Sequence, residues 1–254
     1  MKVIICENYD AVSQKAYEVM KEVVTSKDNA VLGLATGSSP IGLYKCMIED
    51  YKKGNVSYKN VSSVNLDEYI GQGVGDEQSY VEFMRNNLFN HIDIDLANTD
   101  LPCGKNEDNQ KECDRYNAKL ASLSVDIQVL GIGSNGHIGF NEPNTPFGAV
   151  THIVDLTENT IKDNARFFNS IDEVPTQAIS MGIKNVMNAK KILLVASGEN
   201  KADAIKATVE GPVTEKVPAS VLQNGSEYPL ICQTFYFLQR AFTTRSFPAA
   251  SRRT

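Results

Sequence analysis

The sequence of 254 residues lacks the features that would assign it to several specialised classes of protein. It has no apolar run of about 20 residues, which is the length that a membrane-spanning helix needs. Its first seven residues become charged too soon to form a signal peptide, and we expect them to form the first strand. The net charge of −6 argues against general nucleic-acid binding, so any positive site must be local. We therefore expect a partner that is neither a membrane nor a nucleic acid.

Cysteine and histidine are too scattered to suggest a metal site. The five cysteines are an odd number, and no two of them have the C-x-x-C spacing of zinc and redox motifs. The three histidines, His91, His137 and His152, are far apart and lack an H-E-x-x-H pattern. We therefore expect no metal and a reducing, cytoplasmic location.

The remaining composition is that of an ordinary globular domain, with 42% apolar and 22% charged residues. Short apolar runs alternate with segments of helical periodicity, which predicts a doubly wound α/β domain with a mostly parallel sheet. The predicted strands are residues 2–6, 30–35, 61–66, 127–131, 178–181 and 192–196. The predicted helices are residues 10–26, 41–53, 78–90, 109–123, 157–168 and 200–210.

Arginine is unevenly distributed along the chain. Residues 228–254 contain four of the seven arginines and no aspartate, glutamate or lysine. We therefore predict a single domain over residues 1–227, followed by an atypical C-terminal segment of unknown role at residues 228–254.

The most informative segment is residues 130–143, in which a predicted strand runs into a glycine-rich loop. Gly131, Gly133 and Gly136 match the G-x-G-x-x-G motif of dinucleotide-binding proteins. That motif needs a helix directly after the third glycine, and the prolines at positions 143 and 146 interrupt one. A tight turn with an incidental histidine is a second interpretation. The crowding of His137 and Glu142 into one strand end favours a third, in which the loop is chemically active.

Residues 33–40 connect a predicted buried strand to a helix that Pro40 begins. The backbone N–H groups of Gly37, Ser38 and Ser39 at this helix N-terminus could bind a phosphate. The segment lacks the lysine of a Walker loop, which argues against nucleotide hydrolysis. A capped turn without a ligand explains the same residues equally well.

Asp67 and Glu68 follow another predicted strand. Because successive strand residues point to opposite faces, we expect only one of the two to face a given cleft. A carboxylate there could act as a base if burial raised its pKa, although a solvated turn or helix cap is an alternative. Arg166 and Lys201 are further candidates for an anion site, or are ordinary surface charges.

Together these motifs resemble the glucosamine-6-phosphate deaminase family (the glucosamine/galactosamine-6-phosphate isomerases), over roughly residues 1–222. The motifs lie at residues 34–40, 65–69, 131–143, 165–168 and 197–201. The resemblance implies an α/β, modified Rossmann-like fold with a mostly parallel sheet and helices on both faces. It also implies conversion of glucosamine 6-phosphate and water to fructose 6-phosphate and ammonia, without cofactor or metal. The partner would be a small-molecule sugar phosphate, and the chain a monomer or homo-oligomer.

The resemblance also implies roles for individual residues. His137 would open the pyranose ring, with Glu142 and Asn135 orienting its imidazole. Asp67 would abstract the C2 proton of the open chain and return it at C1. The phosphate would be held by five residues, Gly37, Ser38, Ser39, Arg166 and Lys201.

Two positions depart from the family's pattern. Some relatives carry aspartate where this chain has Asn135, and an amide cannot supply the same charge to His137. Relatives often have Ser-Arg where this chain has Ala149 and Val150, and that arginine contributes to effector control in regulated hexameric members. The resemblance therefore does not extend to allosteric activation.

Two other functions fit parts of the sequence. A 6-phosphogluconolactonase shares the fold and a similar histidine loop but needs no base at Asp67. A sugar-phosphate sensor would bind without turnover and would have no use for Asp67, His137 and Glu142 together.

Overall fold

Seven parallel strands form the central sheet of the computed structural model, which describes residues 1–165, 168–225 and 229–233. Their order is β1 (Lys2–Cys6), β10 (Pro229–Gln233), β9 (Ile192–Ala196), β6 (Ile127–Leu130), β2 (Val31–Leu34), β3 (Ser62–Asn65) and β5 (Thr99–Asp100). Every residue of β6 and β9 is buried, as expected for central strands that are covered on both faces. The predicted α/β, Rossmann-like fold with a mostly parallel sheet is confirmed.

A second sheet was not predicted. It has three antiparallel strands in the order β4 (Asp67–Tyr69), β8 (Gln177–Ser180) and β7 (His152–Asp155). Residues 178–181 were predicted as a strand of the parallel sheet. A strand does form there, but it belongs to the small sheet, because β8 pairs with β4 and β7. Apolar content alone cannot distinguish these two surroundings.

Leu66 joins the two sheets, because it alone separates β3 from β4. Its N–H donates to the carbonyl of Leu34 at 3.2 Å, which continues the parallel pairing of β2 with β3. Its carbonyl accepts the N–H of Met181 at 2.7 Å, just beyond β8. The chain thereby changes sheets within one residue, and Asp67 lies at the carboxyl edge of the larger sheet.

The helices packed around the sheets lie close to the predicted ranges. They are α1 (Tyr9–Ser26), α2 (Ile41–Lys52), α3 (Tyr80–Asn87), α4 (Asn109–Ser122), α5 (Glu158–Asn164), α6 (Ile183–Met187) and α7 (Ala202–Glu210). Pro40 is the N-cap of α2 and not its first helical residue, a shift of one position. α6 was missed because five residues are too few to show helical periodicity. No helix in the described ranges is long and apolar enough to cross a membrane.

β10 lies between β1 and β9, so residues 229–233 belong to the interior of the central sheet. The sequence analysis had assigned these residues to the atypical segment and predicted no strand there. The rest of that segment, residues 234–254, and residue 228 lie outside the described residues. The division of the chain at residue 227 stays a prediction.

Tyr44 of α2 fixes the end of β2. Its hydroxyl donates to the carbonyl of Ala35 at 2.6 Å and accepts the N–H of the same residue at 3.2 Å. Tyr44 is completely buried, so no water can replace these bonds. The backbone therefore leaves β2 in a defined direction.

We predict that Tyr44→Phe lowers the free energy of unfolding by about 1–3 kcal/mol, because it leaves a buried N–H and a buried carbonyl unpaired. Chemical denaturation with an unchanged m-value would measure the loss. Tyr51→Phe on the same helix is the matched control, since the Tyr51 hydroxyl makes no hydrogen bond with the described residues. Equal stability of both variants and the wild type would contradict the prediction.

Candidate active site

A cavity of about 180 Å³ opens at the carboxyl edge of the central sheet. β2 and β6 are neighbours there although the chain visits β3 and β5 between them, so the strand order reverses at this point. Open α/β sheets bind their ligands at such reversals. The cavity lining comprises Ala35, Thr36, Gly37, Ser38, Ser39, Leu66, Asp67, Tyr80, Gly131, Ile132, Gly133, His137, Gly139, Phe140, Thr160, Asn164 and Lys201.

His137, in the loop after β6, lines the cavity, and Glu142 and Asn135 lie behind it. Nδ1 of His137 is 3.4 Å from Oε2 of Glu142. A carboxylate can only accept, so this contact favours the tautomer with a proton on Nδ1 and leaves Nε2 as a proton acceptor. Asn135 donates from Nδ2 to the same Glu142 oxygen at 2.7 Å, and its Oδ1 accepts the His137 N–H at 3.2 Å. The three predicted residues therefore form one connected group.

The carboxylate of Glu142 is held from two sides. Its second oxygen, Oε1, accepts the hydroxyl of Thr160 at 2.6 Å and lies 3.4 Å from the hydroxyl of Thr157. Burial alone would raise the pKa of Glu142, but contact with His137 and hydrogen bonds from Thr160 and Asn135 lower it to about 2. Glu142 is therefore ionised beside the imidazole at any working pH.

Glycine is required where the imidazole packs on the backbone. A Cβ atom on Gly133 would lie 2.4–2.5 Å from three atoms of the His137 ring, far inside van der Waals contact. Gly139 has φ +58°, and a Cβ there would approach Oγ of Ser180 and Oδ2 of Asp67. The loop is thus packed against the end of β8, where Ser180 also accepts the N–H of Phe140 at 3.1 Å.

Asp67 and Glu68 are both buried but have different surroundings. Asp67 faces the cavity, and burial followed by the charge of Glu68 raises the pKa of Asp67 to about 8. Glu68 accepts the backbone N–H groups of Tyr69, Tyr80 and Val81. Burial raises the pKa of Glu68 to about 7 although these three bonds lower it. As expected from strand alternation, one carboxyl faces the cleft, and the other caps the start of α3.

The segment at Gly37, Ser38 and Ser39 lines the opposite side of the cavity, next to the N-terminus of α2. The Tyr9 hydroxyl of α1 donates to the carbonyl of Ser38 at 2.9 Å. Because a trans peptide is planar, this bond directs the Ser39 N–H away from α1. Gly37 has φ +83°, which favours glycine at this turn. Lys201, the N-cap of α7, also lines the cavity.

Of the predicted site residues, Arg166 lies outside the described residues. The structure brings all the others together around one cavity, and their roles stay predictions. The sequence analysis missed Tyr80, Phe140, Thr160 and Asn164, which also line it. An aromatic pair such as Tyr80 and Phe140, whose ring centroids are 6.3 Å apart, has no sequence signal that separates it from ordinary core. A threonine within a helix, such as Thr160, likewise has no sequence signal that marks it as part of a site.

The described residues contain no group of three or more histidine, cysteine, aspartate or glutamate side chains placed to hold a metal ion. The acidic groups here contact other partners. Glu142 contacts an imidazole, an amide and a hydroxyl, and Glu68 contacts backbone N–H groups. The arrangement is suited to proton transfer and to binding an anion.

Comparison with known proteins identifies close relatives along almost the whole chain. The model of the family described as glucosamine-6-phosphate isomerases/6-phosphogluconolactonase matches residues 7–230. The glucosamine-6-phosphate deaminase of Lachnoclostridium phytofermentans is 53% identical over 233 residues, which are 91% of this chain and 99% of that protein. The glucosamine-6-phosphate deaminase of Clostridioides difficile is 50% identical over 224 residues, 88% of this chain and 90% of its own.

Solved structures show the same fold. A monomeric glucosamine-6-phosphate deaminase matches with a TM-score of 0.90 and 44% identity, covering 92% of this chain and 97% of that one. The 6-phosphogluconolactonase of Thermotoga maritima has a TM-score of 0.71 at 17% identity, covering 91% and 98% of the two chains. At that identity the likeness concerns the fold alone.

We predict that Asp67→Asn raises the free energy of unfolding relative to the wild type, by an amount that grows with pH. The raised pKa means that the folded protein keeps a proton on Asp67 that the unfolded chain loses. Wild-type stability is therefore lost as the pH rises between about 4 and 8, by up to about 1.4 kcal/mol per pH unit from this group. Denaturant unfolding at several pH values would measure the difference.

Asp126→Asn is the matched control with the opposite sign. Asp126 is also buried, but it accepts from Lys27, Lys190 and the N–H of Val31, each at 2.8 Å. Burial alone would raise its pKa, but these partners lower it, so the charged form stabilises the fold. Asp126→Asn should therefore be less stable than the wild type at neutral pH. Parallel pH dependence of Asp67→Asn and wild type would refute the buried, proton-binding state of Asp67.

Proposed function

Because the chain belongs to the family of glucosamine-6-phosphate isomerases and 6-phosphogluconolactonases, we propose that it converts glucosamine 6-phosphate and water to fructose 6-phosphate and ammonia. The observation that carries the proposal is the pairing, in one cavity, of a buried carboxyl with an imidazole backed by a carboxylate. An aldose–ketose isomerisation needs both groups: one to open the sugar ring and the other to move a proton between adjacent carbons.

His137 is the residue proposed for ring opening. With Nδ1 directed at Glu142, its Nε2 can take a proton from the O1 hydroxyl and deliver it to O5. The C1–O5 bond then breaks, and C1 becomes an aldehyde. Glu142 stabilises the imidazolium that forms between the two transfers, and Asn135 keeps the carboxylate in place.

Asp67 is the residue proposed for proton transfer from C2 to C1. Its raised pKa makes its carboxylate a stronger base than an exposed aspartate. The positively charged amino group of the substrate at C2 would favour the ionised form of Asp67 on binding. As the C2 proton leaves, one proton of the ammonium group passes to O1, which gives an enolamine. Return of the C2 proton to C1 then leaves an iminium at C2, to which water adds. Ammonia then leaves, and the C2 carbonyl of fructose 6-phosphate forms.

The phosphate would lie against Gly37, Ser38 and Ser39, with Lys201 and Arg166 supplying positive charge. The N-terminus of α2 favours an anion at this place, because backbone N–H groups point out of the helix there. Holding the phosphate fixes the distance from C6 to the reacting carbons and brings C1 and C2 to Asp67.

Finer assignments follow from the same reaction. Since water is consumed and a C–N bond is broken, we assign the enzyme to the hydrolases. The five cysteines are an odd number and no two have C-x-x-C spacing, which supports the expected cytoplasmic location. The solved relative at 44% identity is described as monomeric, which favours a monomer over a homo-oligomer for this chain.

We predict that the purified protein releases ammonia and fructose 6-phosphate in equal amounts from glucosamine 6-phosphate. Asp67→Asn should lose about 100-fold to 10,000-fold in kcat, because an amide cannot accept the C2 proton. A coupled enzymatic assay of ammonia would measure both proteins. Absence of ammonia from the folded wild type would overturn the proposal.

The wild type and Asp67→Asn also distinguish the proposed function from the two alternatives, a lactonase and a sugar-phosphate sensor. A lactonase would hydrolyse 6-phosphogluconolactone and keep that activity in Asp67→Asn, since water addition to a lactone needs no C2 base. A sensor would bind glucosamine 6-phosphate in calorimetry and turn over neither compound.

We further predict that Gly133→Ala lowers kcat by about 100-fold with the fold intact. The new Cβ occupies the place of the His137 ring and displaces it from Glu142. Gly148→Ala is the control, because a Cβ there meets no atom within 4 Å and its φ is ordinary. Steady-state kinetics and a circular dichroism spectrum test the pair; equal kcat values would exclude the packing of His137 on Gly133.

A further inference from the structure

The helix α5 contributes a side chain to the machinery that no sequence motif marks. Thr160 is buried and lines the cavity, and its hydroxyl donates to Oε1 of Glu142 at 2.6 Å. The other oxygen of the same carboxylate serves His137 and Asn135. Glu142 therefore joins two separate parts of the chain, the loop after β6 and the helix α5.

The direction of the hydrogen bonds around Thr160 is determined by its single proton. A carboxylate accepts only, so the Thr160 hydroxyl must donate to Glu142. The hydroxyl of Thr157 lies 3.0 Å from that of Thr160 and must then act as the donor between the two. Thr157 thus donates to Thr160, which donates to Glu142, which faces His137 at 3.4 Å.

We propose that Thr160 is a positioning residue, through which α5 holds the Glu142 carboxylate in the orientation that aligns His137 for ring opening. The proposal rests on the proposed function for its chemical consequence. Without the Thr160 hydroxyl, Oε1 of Glu142 keeps only the 3.4 Å contact with Thr157. Rotation of the carboxylate would then move Oε2 away from His137 Nδ1, and the imidazole would lose the contact that orients it.

The position of Thr160 gives this hydrogen bond a link to the substrate. Asn164, one turn further along α5, also lines the cavity, so α5 faces the ligand with the same side that holds Glu142. The helix that holds the Glu142 carboxylate therefore also borders the ligand cavity.

The test is the pair Thr160→Val and Thr160→Ser. Valine has the shape of threonine without the hydroxyl, and we expect it to lower kcat about tenfold or more with KM changed less than about twofold. Serine keeps the hydroxyl and should restore kcat to within about twofold of the wild type. Thr208→Val is the control: Thr208 is also buried, lies on α7, and its hydroxyl has no hydrogen-bond partner among the described residues.

A double-mutant cycle distinguishes positioning from a general loss of structure. In a Glu142→Gln background, Thr160→Val should cost less than about twofold in kcat, because the charged group through which Thr160 acts is gone. An equal cost in both backgrounds, or wild-type kcat in Thr160→Val, would overturn the proposal.

Hydrogen exchange gives a readout that does not need turnover. The backbone amides of α5 should exchange faster in Thr160→Val than in the wild type, and Thr208→Val should leave them unchanged. If the wild type releases no ammonia, the proposed function fails. The difference in exchange still tests the hydrogen bond between Thr160 of α5 and Glu142. If ammonia is released but exchange and kcat are unaffected by Thr160→Val, the positioning role alone fails.

Discussion

The site depends on the two backbone hydrogen bonds of Leu66, which fasten the parallel sheet to the antiparallel one. The N–H of Leu66 completes the ladder with β2, and its carbonyl begins the connection to β8. Because both groups are engaged, the position of the following residue is restrained. Asp67 is therefore placed at the carboxyl edge of the large sheet and beside the glycine loop, although it belongs to the small sheet.

Two buried carboxyl groups near this junction, those of Glu142 and Asp67, differ in whether donors reach them, and their proton affinities differ accordingly. Glu142 contacts His137, Asn135 and Thr160, so its pKa is low. Asp67 has no hydrogen-bond donor among the described residues, and burial next to Glu68 raises its pKa. The fold thereby gives two carboxyl side chains different states: Glu142 is a permanent anion behind the imidazole, and Asp67 is a proton acceptor in the cavity.

Five strands of the central sheet were predictable from short, largely apolar runs, and the helices other than α6 from apolar residues at helical spacing. β5, with two residues, and β10, in the segment that the arginines set apart, were not predicted. The small sheet was not predictable, since β4 has three residues and β7 exposes the apolar Ile153, so its sequence lacks the apolar–polar alternation of a half-buried strand. Its pairing of Asp67 with Ser180 also spans more than a hundred residues.

Within the site, strand alternation was sufficient to predict that Asp67 and Glu68 face opposite ways. The contact between Thr160 and Glu142 was not predictable, because a threonine inside a helix has the same pattern whether its hydroxyl meets water or a carboxylate. At Asn135, where some relatives carry aspartate, the structure shows a contact specific to the amide. The amide donates to Glu142 at 2.7 Å, a bond that an ionised aspartate could not make.

The order of strands across the central sheet has a consequence for synthesis of the protein. β1 pairs with β10 on one side and forms the edge of the described sheet on the other, so the first described strand cannot pair until the last described one has been synthesised. β2, β3, β5, β6 and β9 can assemble before that. The residues that follow β2, β3 and β6 line the cavity, so it is outlined while β1 still lacks its partner strand.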